Sequence, residues 1–218
     1  MGKIAIDRHF DALVVNDFQK DFLSGNGNFA QPKIEIMSDR LVKILPLFTL
    51  SKVYFLIHRH ETDLFKDYSN LRHCIIFPKI KFINPKNKGI SEVGISEGCE
   101  FENNLSSYLL KEEIFKGNSI KRFFKLQCPL LGSQFSVLQV CKIDEHLLKN
   151  NIRRIFFTGL NFNPCIINEI AYLGFKNNFE IFVIDDLINS IYEKDKIALI
   201  ESLKFTEVAF INSNDIYK

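Results

Sequence analysis

Short apolar runs alternate along this chain with segments whose apolar residues recur at helical spacing. The runs are rich in β-branched and aromatic residues and have the length of buried strands. The six predicted strands span residues 12–16, 53–57, 119–124, 155–158, 180–184 and 207–211. Because strands without a polar face are covered on both sides, the pattern predicts a mostly parallel, six-stranded sheet between two helical layers.

Three amphipathic segments between the strands are the predicted helices. Their apolar positions are Ile36, Leu41, Ile44, Leu45 and Phe48, then Ile166, Ile167, Ile170, Leu173 and Phe175, then Ile197, Leu199, Ile200 and Leu203. Right-handed crossovers joining such units give a three-layer α/β/α sandwich of the Rossmann-like kind. We expect one domain over residues 1–218, with a polar segment rich in Pro, Gly and Lys at 75–102 as a surface insertion.

Composition and charge exclude several classes of partner. Lys plus Arg number 28 against 26 for Asp plus Glu, and a net charge of +2 gives no reason to expect nucleic acid. No apolar run reaches the roughly 18 residues that a membrane span requires, and charges fall where a signal peptide would be apolar. We therefore expect no membrane partner and a cytoplasmic location. Five cysteines without a CxxC spacing predict reduced thiols.

Reactive side chains follow the predicted strands. In an open parallel sheet the ligand crevice lies beyond the carboxyl ends of the strands. The residues at those positions are Asp17, His58 and His60, Lys125, Cys165, and Asp185 and Asp186. An acid, two imidazoles, an amine and a thiol at one edge predict a reactive site there.

Cys165 is the candidate nucleophile. It follows a turn that begins at Gly159, and Pro164 before it suits the first position of a helix. The positive end of the helix dipole favours the thiolate. The structural alternative is a small apolar residue that packs the helix onto the sheet. Asp17 is the candidate general base, with a turn-forming or capping role as its alternative.

Three of the five histidines fall in one region. His58 and His60 are two residues apart and point the same way in an extended chain, so they can share an ion, to which a loop would bring His73. Three neutral imidazoles suit Zn²⁺, with Fe²⁺ or Mn²⁺ as alternatives. A solvated loop is the structural alternative. Lys125 would keep Asp17 ionised, and Lys121 is the other candidate for that role.

These segments together resemble the nicotinamidase branch of the isochorismatase-like cysteine hydrolases. Residues 17–22 match the family's Asp-x-Gln-Asn-Asp-Phe except for Lys20, and the interval from Gly159 to Cys165 matches its nucleophile turn. The family's metal-binding Asp-x-His and its later His-Cys pair correspond to residues 58–60 and 73–74.

The resemblance implies an amidohydrolase that converts nicotinamide to nicotinic acid and ammonia, a step of NAD salvage. Cys165 would carry the thioester, Asp17 would act as acid and base, and Lys125 would complete the catalytic set. The three histidines would bind the divalent metal, to which the ring nitrogen of nicotinamide would be a ligand. A homo-oligomer is left open.

The resemblance also assigns the substrate pocket. Phe22 and Gln19 would contact the substrate, and the backbone N–H groups of Asn161 and Cys165 would form the oxyanion hole.

Three departures from the family pattern leave the substrate open. His58 stands in place of an Asp, Asn70 in place of a Trp and Gly132 in place of a Tyr. One alternative is another small-amide hydrolase of the same superfamily. The other is a relative that binds a metal or a metabolite without catalysis.

Overall fold

The computed structural model describes residues 2–19, 22, 34–61, 75–77, 82–83, 90–91, 94–95, 105, 121–126, 143–160, 162–174, 178–190, 192–204 and 206–218. Residues 34–35, 57–61, 121–126 and 163–164 and the short strands between 75 and 95 are described by their backbone alone.

Strands and helices alternate as predicted over residues 11–61 and 121–211, and the described elements between these two stretches are short strands. In chain order the strands are β1 (Ile4–Ala5), β2 (Asp11–Asn16), β3 (Val53–Glu61), β4 (Ile75–Phe77), β5 (Phe82–Ile83), β6 (Ile90–Ser91), β7 (Gly94–Ile95), β8 (Lys121–Leu126), β9 (Arg154–Gly159), β10 (Glu180–Ile188), β11 (Ala209–Ile211) and β12 (Ile216–Tyr217). The α-helices are α1 (Ile34–Ile44), α2 (Ile143–Lys149), α3 (Ile167–Gly174) and α4 (Glu193–Leu203). A π-helical turn, Phe162–Ile166, precedes α3, and 3₁₀ turns occupy Leu45–Leu47, Leu50–Lys52 and Ser213–Asp215.

The six predicted strands form the central sheet. They lie in the order β11-β10-β9-β2-β3-β8, and all five neighbouring pairs are parallel. The predicted mostly parallel sheet is therefore confirmed. The sheet also includes two short strands that the sequence pattern did not predict: β4 pairs with the end of β3, and β7 runs antiparallel to β4. Strands of two or three residues are too short to show a period.

Alternate residues of the strands enter two hydrophobic clusters, one on each face of the sheet. The α1-side cluster includes Leu13, Val15 and Phe55 of the sheet with Met37, Leu41 and Ile44 of α1. The α3-side cluster includes Ala12, Val14 and Tyr54 with Ile143 and Leu147 of α2 and Ile170 and Leu173 of α3. Each fully buried aliphatic side chain contributes about 1.5–3 kcal/mol. The two clusters make the three-layer α/β/α sandwich that the pattern predicted.

Two predicted core residues are solvent-exposed. Ile36 and Ile197 are each 56% exposed. The buried stripe of α1 runs through Met37, Leu41 and Ile44, and Ile36 lies one residue, about 100°, away from it. In α4 the half-buried residues are Leu199, Ile200 and Leu203, so its apolar stripe excludes Ile197.

The pairing of β2 with β9 is secured at the end opposite the candidate site. Arg154 donates two hydrogen bonds to the buried Asp11 carboxylate, at 2.7 and 2.6 Å. This hydrogen bonding raises the pKa of the Arg154 guanidinium above its ordinary value. The charge pair fixes the register of the two strands that carry Asp17 and the Cys165 turn at their other ends.

None of the described helices has both the length and the apolar character needed to cross a bilayer.

Candidate active site

Asp17 lies directly beyond β2, in a strained backbone conformation. Its φ of 52° is in the left-handed region, and its side chain is fully buried. Its backbone N–H donates to the Leu56 carbonyl at 2.8 Å, and its carbonyl accepts from the N–H of Gln19 at 2.8 Å. A non-glycine residue in this region costs about 1–3 kcal/mol, and such residues concentrate at functional sites. The structure thus fixes a buried carboxyl group at the predicted crevice.

Gly159 brings the end of β9 against the end of β2. A Cβ at residue 159 would lie 2.0 Å from the Asn16 carbonyl oxygen, and its φ of 122° also requires glycine. The next residue, Leu160, donates its N–H to the same oxygen at 3.0 Å. The chain that leads to Cys165 therefore leaves the sheet beside the residue that precedes Asp17.

The turn between β9 and the π-helical turn is held from both sides by Asn189. Its backbone N–H donates to the Gly159 carbonyl at 3.2 Å, and its carbonyl accepts from the N–H of Phe162 at 2.8 Å. The buried Thr158 hydroxyl adds a hydrogen bond to the Leu187 carbonyl at 2.7 Å. The end of β10 thus fixes the start of the segment that carries Cys165.

Cys165 lies in the π-helical turn and is 7% exposed. Its neighbours Phe162 and Ile166 are fully buried in the α3-side cluster, so the turn is seated on that face of the sheet. The helical segment begins at Phe162, two residues before Pro164, because Phe162 is anchored by its ring and by Asn189. The prediction that Pro164 is the first helical residue was therefore wrong. Single π-helical turns are rare in proteins, and many of those that occur lie at functional sites.

Gln19 and Phe22 follow Asp17 and are both buried. Gln19 has no exposed surface, and Phe22, at 1% exposed, belongs to the α1-side cluster. Their contacts with a substrate remain a prediction. Asn161, predicted to donate to an oxyanion, lies outside the described residues, as does His73.

His58, His60 and Lys125 lie within strands rather than after them. Strand β3 continues to Glu61 because it pairs with β8 as far as Arg59 and with β4 beyond it. Lys125 is the direct partner of His58, and Ile75 is the partner of His60. The pairing therefore brings the two predicted functions, metal binding and charge stabilisation, to adjacent strands.

Asp185 and Asp186 also lie inside a strand, β10, and not beyond it. The Asp186 carboxylate accepts hydrogen bonds from the backbone of Ser213 at 2.7 Å and from Arg40 at 2.8 Å. Asp185 lies 3.3 Å from the Lys196 ammonium. These contacts indicate that the two acids connect β10 to the segments packed against it rather than belong to the reactive site.

Sequence comparison alone finds no relatives: no family model matches the chain, and no curated protein matches it. Several solved structures, in contrast, are similar to the chain in fold. The nicotinamidase/pyrazinamidase of Bacillus subtilis has a TM-score of 0.65 at 19% identity, over 92% of this chain and 99% of that one. The chain has the fold of the nicotinamidases. The pyrazinamidase of Pyrococcus horikoshii in complex with zinc gives 0.66 at 17% identity, over 93% and 98%. N-carbamoylsarcosine amidase of Thermoplasma acidophilum gives 0.63 at 18%, over 96% and 99%.

Metal-ligating side chains do not cluster in threes within the described part of this nicotinamidase-like fold. The imidazoles of residues 58, 60 and 73 lie outside that part. Strand β4 starts two residues after His73 in the sequence, and its first residue, Ile75, pairs with His60. Imidazoles from two adjacent segments are a donor set that suits a divalent transition metal.

Asn16 is the residue of the candidate site that the sequence pattern did not identify. It ends β2 and is fully buried. A signal was present in the sequence, because an amide directly before the candidate base interrupts an otherwise apolar run.

Proposed function

We propose that this protein is a nicotinamidase-type cysteine amidohydrolase that converts nicotinamide to nicotinic acid and ammonia. The observation that carries the proposal is the junction of β2 and β9. Asp17, buried and strained, follows Asn16, and Asn16 is in contact with the glycine that starts the Cys165 turn. Neighbouring strands lie about 4.8 Å apart, so the segments that lead to Asp17 and to Cys165 leave the sheet side by side, and we propose that their carboxyl and thiol groups meet.

The two groups would divide the reaction into two halves. Asp17 takes the proton of the Cys165 thiol, and the thiolate attacks the carboxamide carbon. The tetrahedral intermediate collapses with cleavage of the C–N bond, and ammonia leaves with the proton that Asp17 held. Asp17 then takes a proton from water, whose oxygen attacks the thioester carbonyl. Nicotinic acid leaves, and the thiol is restored.

Backbone N–H groups of Asn161 and Cys165 would stabilise the oxyanion. Preorganised donors of this kind contribute about 3–4 kcal/mol each when they are fixed before the reaction. The support from the structure is the clamp of Asn189 on both sides of the turn, because donors on a fixed turn need no reorganisation.

Lys125, rather than Lys121, would supply positive charge near Asp17. Residue 125 pairs with His58, two residues beyond Leu56, whose carbonyl accepts from the Asp17 N–H. Residue 121 pairs with the fully buried Tyr54. Four residues of strand separate the two lysines by about 13 Å, which leaves the Lys121 backbone far from the crevice.

His58, His60 and His73 would hold the divalent metal, for which we propose Zn²⁺, with Fe²⁺ and Mn²⁺ as alternatives. Residues two apart in a strand share a face, and the pairing of β4 with β3 supports the approach of the third ligand. When bound, the ion would offer a coordination position to the ring nitrogen of the substrate and so orient its amide. Zinc in the Pyrococcus horikoshii pyrazinamidase agrees with this choice.

A second candidate is an amidase for carbamoyl compounds, because N-carbamoylsarcosine amidase has the same fold at similar identity. The two candidate functions can be separated by measuring ammonia release from nicotinamide and from N-carbamoylsarcosine. Each release is measured before chelation, after chelation and after return of Zn²⁺. We expect release from nicotinamide that chelation abolishes and Zn²⁺ restores. Release from N-carbamoylsarcosine alone would favour the second candidate, and release from neither would favour a binding protein.

A further inference from the structure

The Asn16 side chain has no exposed surface, and within the described part of the chain neither its Nδ2 nor its Oδ1 has a hydrogen-bond partner. A buried amide normally uses both its donor and its acceptor groups. Leaving them unsatisfied costs the desolvation free energy of both atoms. A buried amide of this kind calls for a partner that the protein chain does not supply, either an ordered water or a bound ligand.

Asn16 lies at the centre of the proposed site. It precedes the base Asp17, and its carbonyl accepts from the Leu160 N–H in the turn to the nucleophile. In β2 the residues at even positions, Ala12 and Val14, enter the α3-side cluster, and the period of two places Asn16 on the same face. That face also carries the π-helical turn with Cys165. The amide is therefore on the nucleophile's side of the sheet.

We infer that Asn16 is a substrate-binding residue whose amide pairs with the carboxamide of the substrate, with Nδ2–H donating to the carbonyl oxygen and Oδ1 accepting from the substrate N–H. This inference rests on the proposed amidase function and explains why the site would select an amide over other carbonyl compounds. An amide is complementary to another amide because each has one donor and one acceptor side. An ester, ketone or carboxylate lacks the N–H that Oδ1 needs.

The pairing also predicts that the amide substrate binds more tightly than the acid product. Once ammonia has left, the thioester has no N–H to donate to Oδ1, so one of the two hydrogen bonds is lost. Sites built to hydrogen-bond a substrate N–H reject analogues without it, because the protein group is then left buried and unpaired. Asn16 would thus favour the amide over the acid product.

Binding to an inactive parent, Cys165→Ala, tests the inference without turnover. Calorimetry would compare nicotinamide with 3-acetylpyridine, which keeps the ring and the carbonyl but has no N–H. We expect Asn16→Leu in this parent to weaken nicotinamide binding about tenfold or more, and to weaken 3-acetylpyridine binding less. Asn16→Ala serves as a second variant, since it leaves space rather than filling it.

Thermal unfolding of the ligand-free variants provides the second readout. If the amide waits unpaired for substrate, Asn16→Leu leaves the midpoint unchanged or raises it, because an unsatisfied polar group is replaced by an apolar one. A lower midpoint would show that the amide has a structural partner and would overturn the inference, as would unchanged nicotinamide affinity or equal losses for both ligands. Ammonia release by the wild-type protein reports separately on the proposed function, so an active enzyme with any of these results would reject the role of Asn16 alone.

Discussion

Among the described residues of the candidate site, Gly159 and Asp17 are the two whose backbone has a positive φ. The two conformations have different causes. Gly159 allows two strand ends to approach more closely than a Cβ permits, whereas Asp17 has a backbone conformation that is unfavourable for a residue with a side chain. The approach of the strands fixes where the turn to Cys165 starts, and the strained residue is the proposed base.

Gly159→Ala should strongly destabilise the protein. The added Cβ would lie 2.0 Å from a backbone oxygen, so the strand ends must separate, and the φ of 122° adds strain. We expect a loss of about 3 kcal/mol or more in the free energy of unfolding, measured by urea denaturation. Gly174→Ala is the matched control, since nothing lies within 4 Å of its Cβ position at the end of α3. Equal stabilities of the two variants would contradict this reading.

Tyr54 should make stability sensitive to alkaline pH. Burial raises the pKa of Tyr54 to about 12, whereas a phenol in the unfolded chain ionises near pH 10. Between these values the unfolded state has lost the proton and the folded state keeps it. The free energy of unfolding therefore falls as pH rises through this window, by about 1.4 kcal/mol per pH unit, and Tyr54 adds no pH dependence below it.

Tyr54→Phe should remove that part of the slope. Urea denaturation at several pH values from 9 to 12 would measure it. Tyr192→Phe is the control, because Tyr192 is 61% exposed and its loss should leave the slope unchanged. Parallel stability curves for wild type and Tyr54→Phe across the window would show that the phenol is not the source.

At the scale of whole elements, the end of β10 fixes the position of the turn that leads to Cys165. Lys196 of α4 donates to the carbonyls of Asp185 and Ile188, at 2.9 and 3.0 Å. The residue after Ile188 is Asn189, which clamps the Cys165 turn. A helix on the sheet face thus fixes the strand end that fixes the turn.

Lys196→Met should weaken this arrangement. We expect a loss of about 1–3 kcal/mol of stability, because two carbonyls lose a charged donor, together with a lower kcat for amide hydrolysis. Lys204→Met, at the C-cap of the same helix, is the control, since Lys204 and its partner Glu201 are each more than half exposed and such pairs contribute little. Identical effects of the two substitutions would refute the role of Lys196.

The existence of the elements was predictable from sequence, but their ends were not. The runs at 53–57 and 180–184 end where polar residues begin, yet β3 and β10 continue through His58, His60, Asp185 and Asp186. Hydrogen bonding to β8 and β4 extends β3, and this pairing is tertiary information. The apolar period detects a buried face but not a strand that continues with polar side chains.

For the whole molecule, the rule that ligands bind beyond the carboxyl ends of parallel strands predicted the location of the candidate site. Asp17 and the turn to Cys165 leave the sheet at the same end, because they follow the neighbouring central strands β2 and β9; that they act together stays a prediction. The rule gave Asp17, Asp185 and Asp186 the same weight, although Asp185 and Asp186 lie inside β10 and Asp17 lies beyond β2, and it did not identify Asn16. These distinctions depend on burial and on hydrogen-bond partners, which the linear sequence does not contain.

We propose as the central claim that the thiol of Cys165 is the nucleophile of an amide hydrolysis in which Asp17 is the base. The most direct measurement is ammonia release from nicotinamide by the Zn²⁺-loaded protein and by its Cys165→Ala variant, with folding of the variant checked by circular dichroism. We predict turnover by the wild-type protein and a loss of at least about 10³-fold in kcat for the variant. A folded Cys165→Ala variant that releases ammonia at the wild-type rate would contradict the claim.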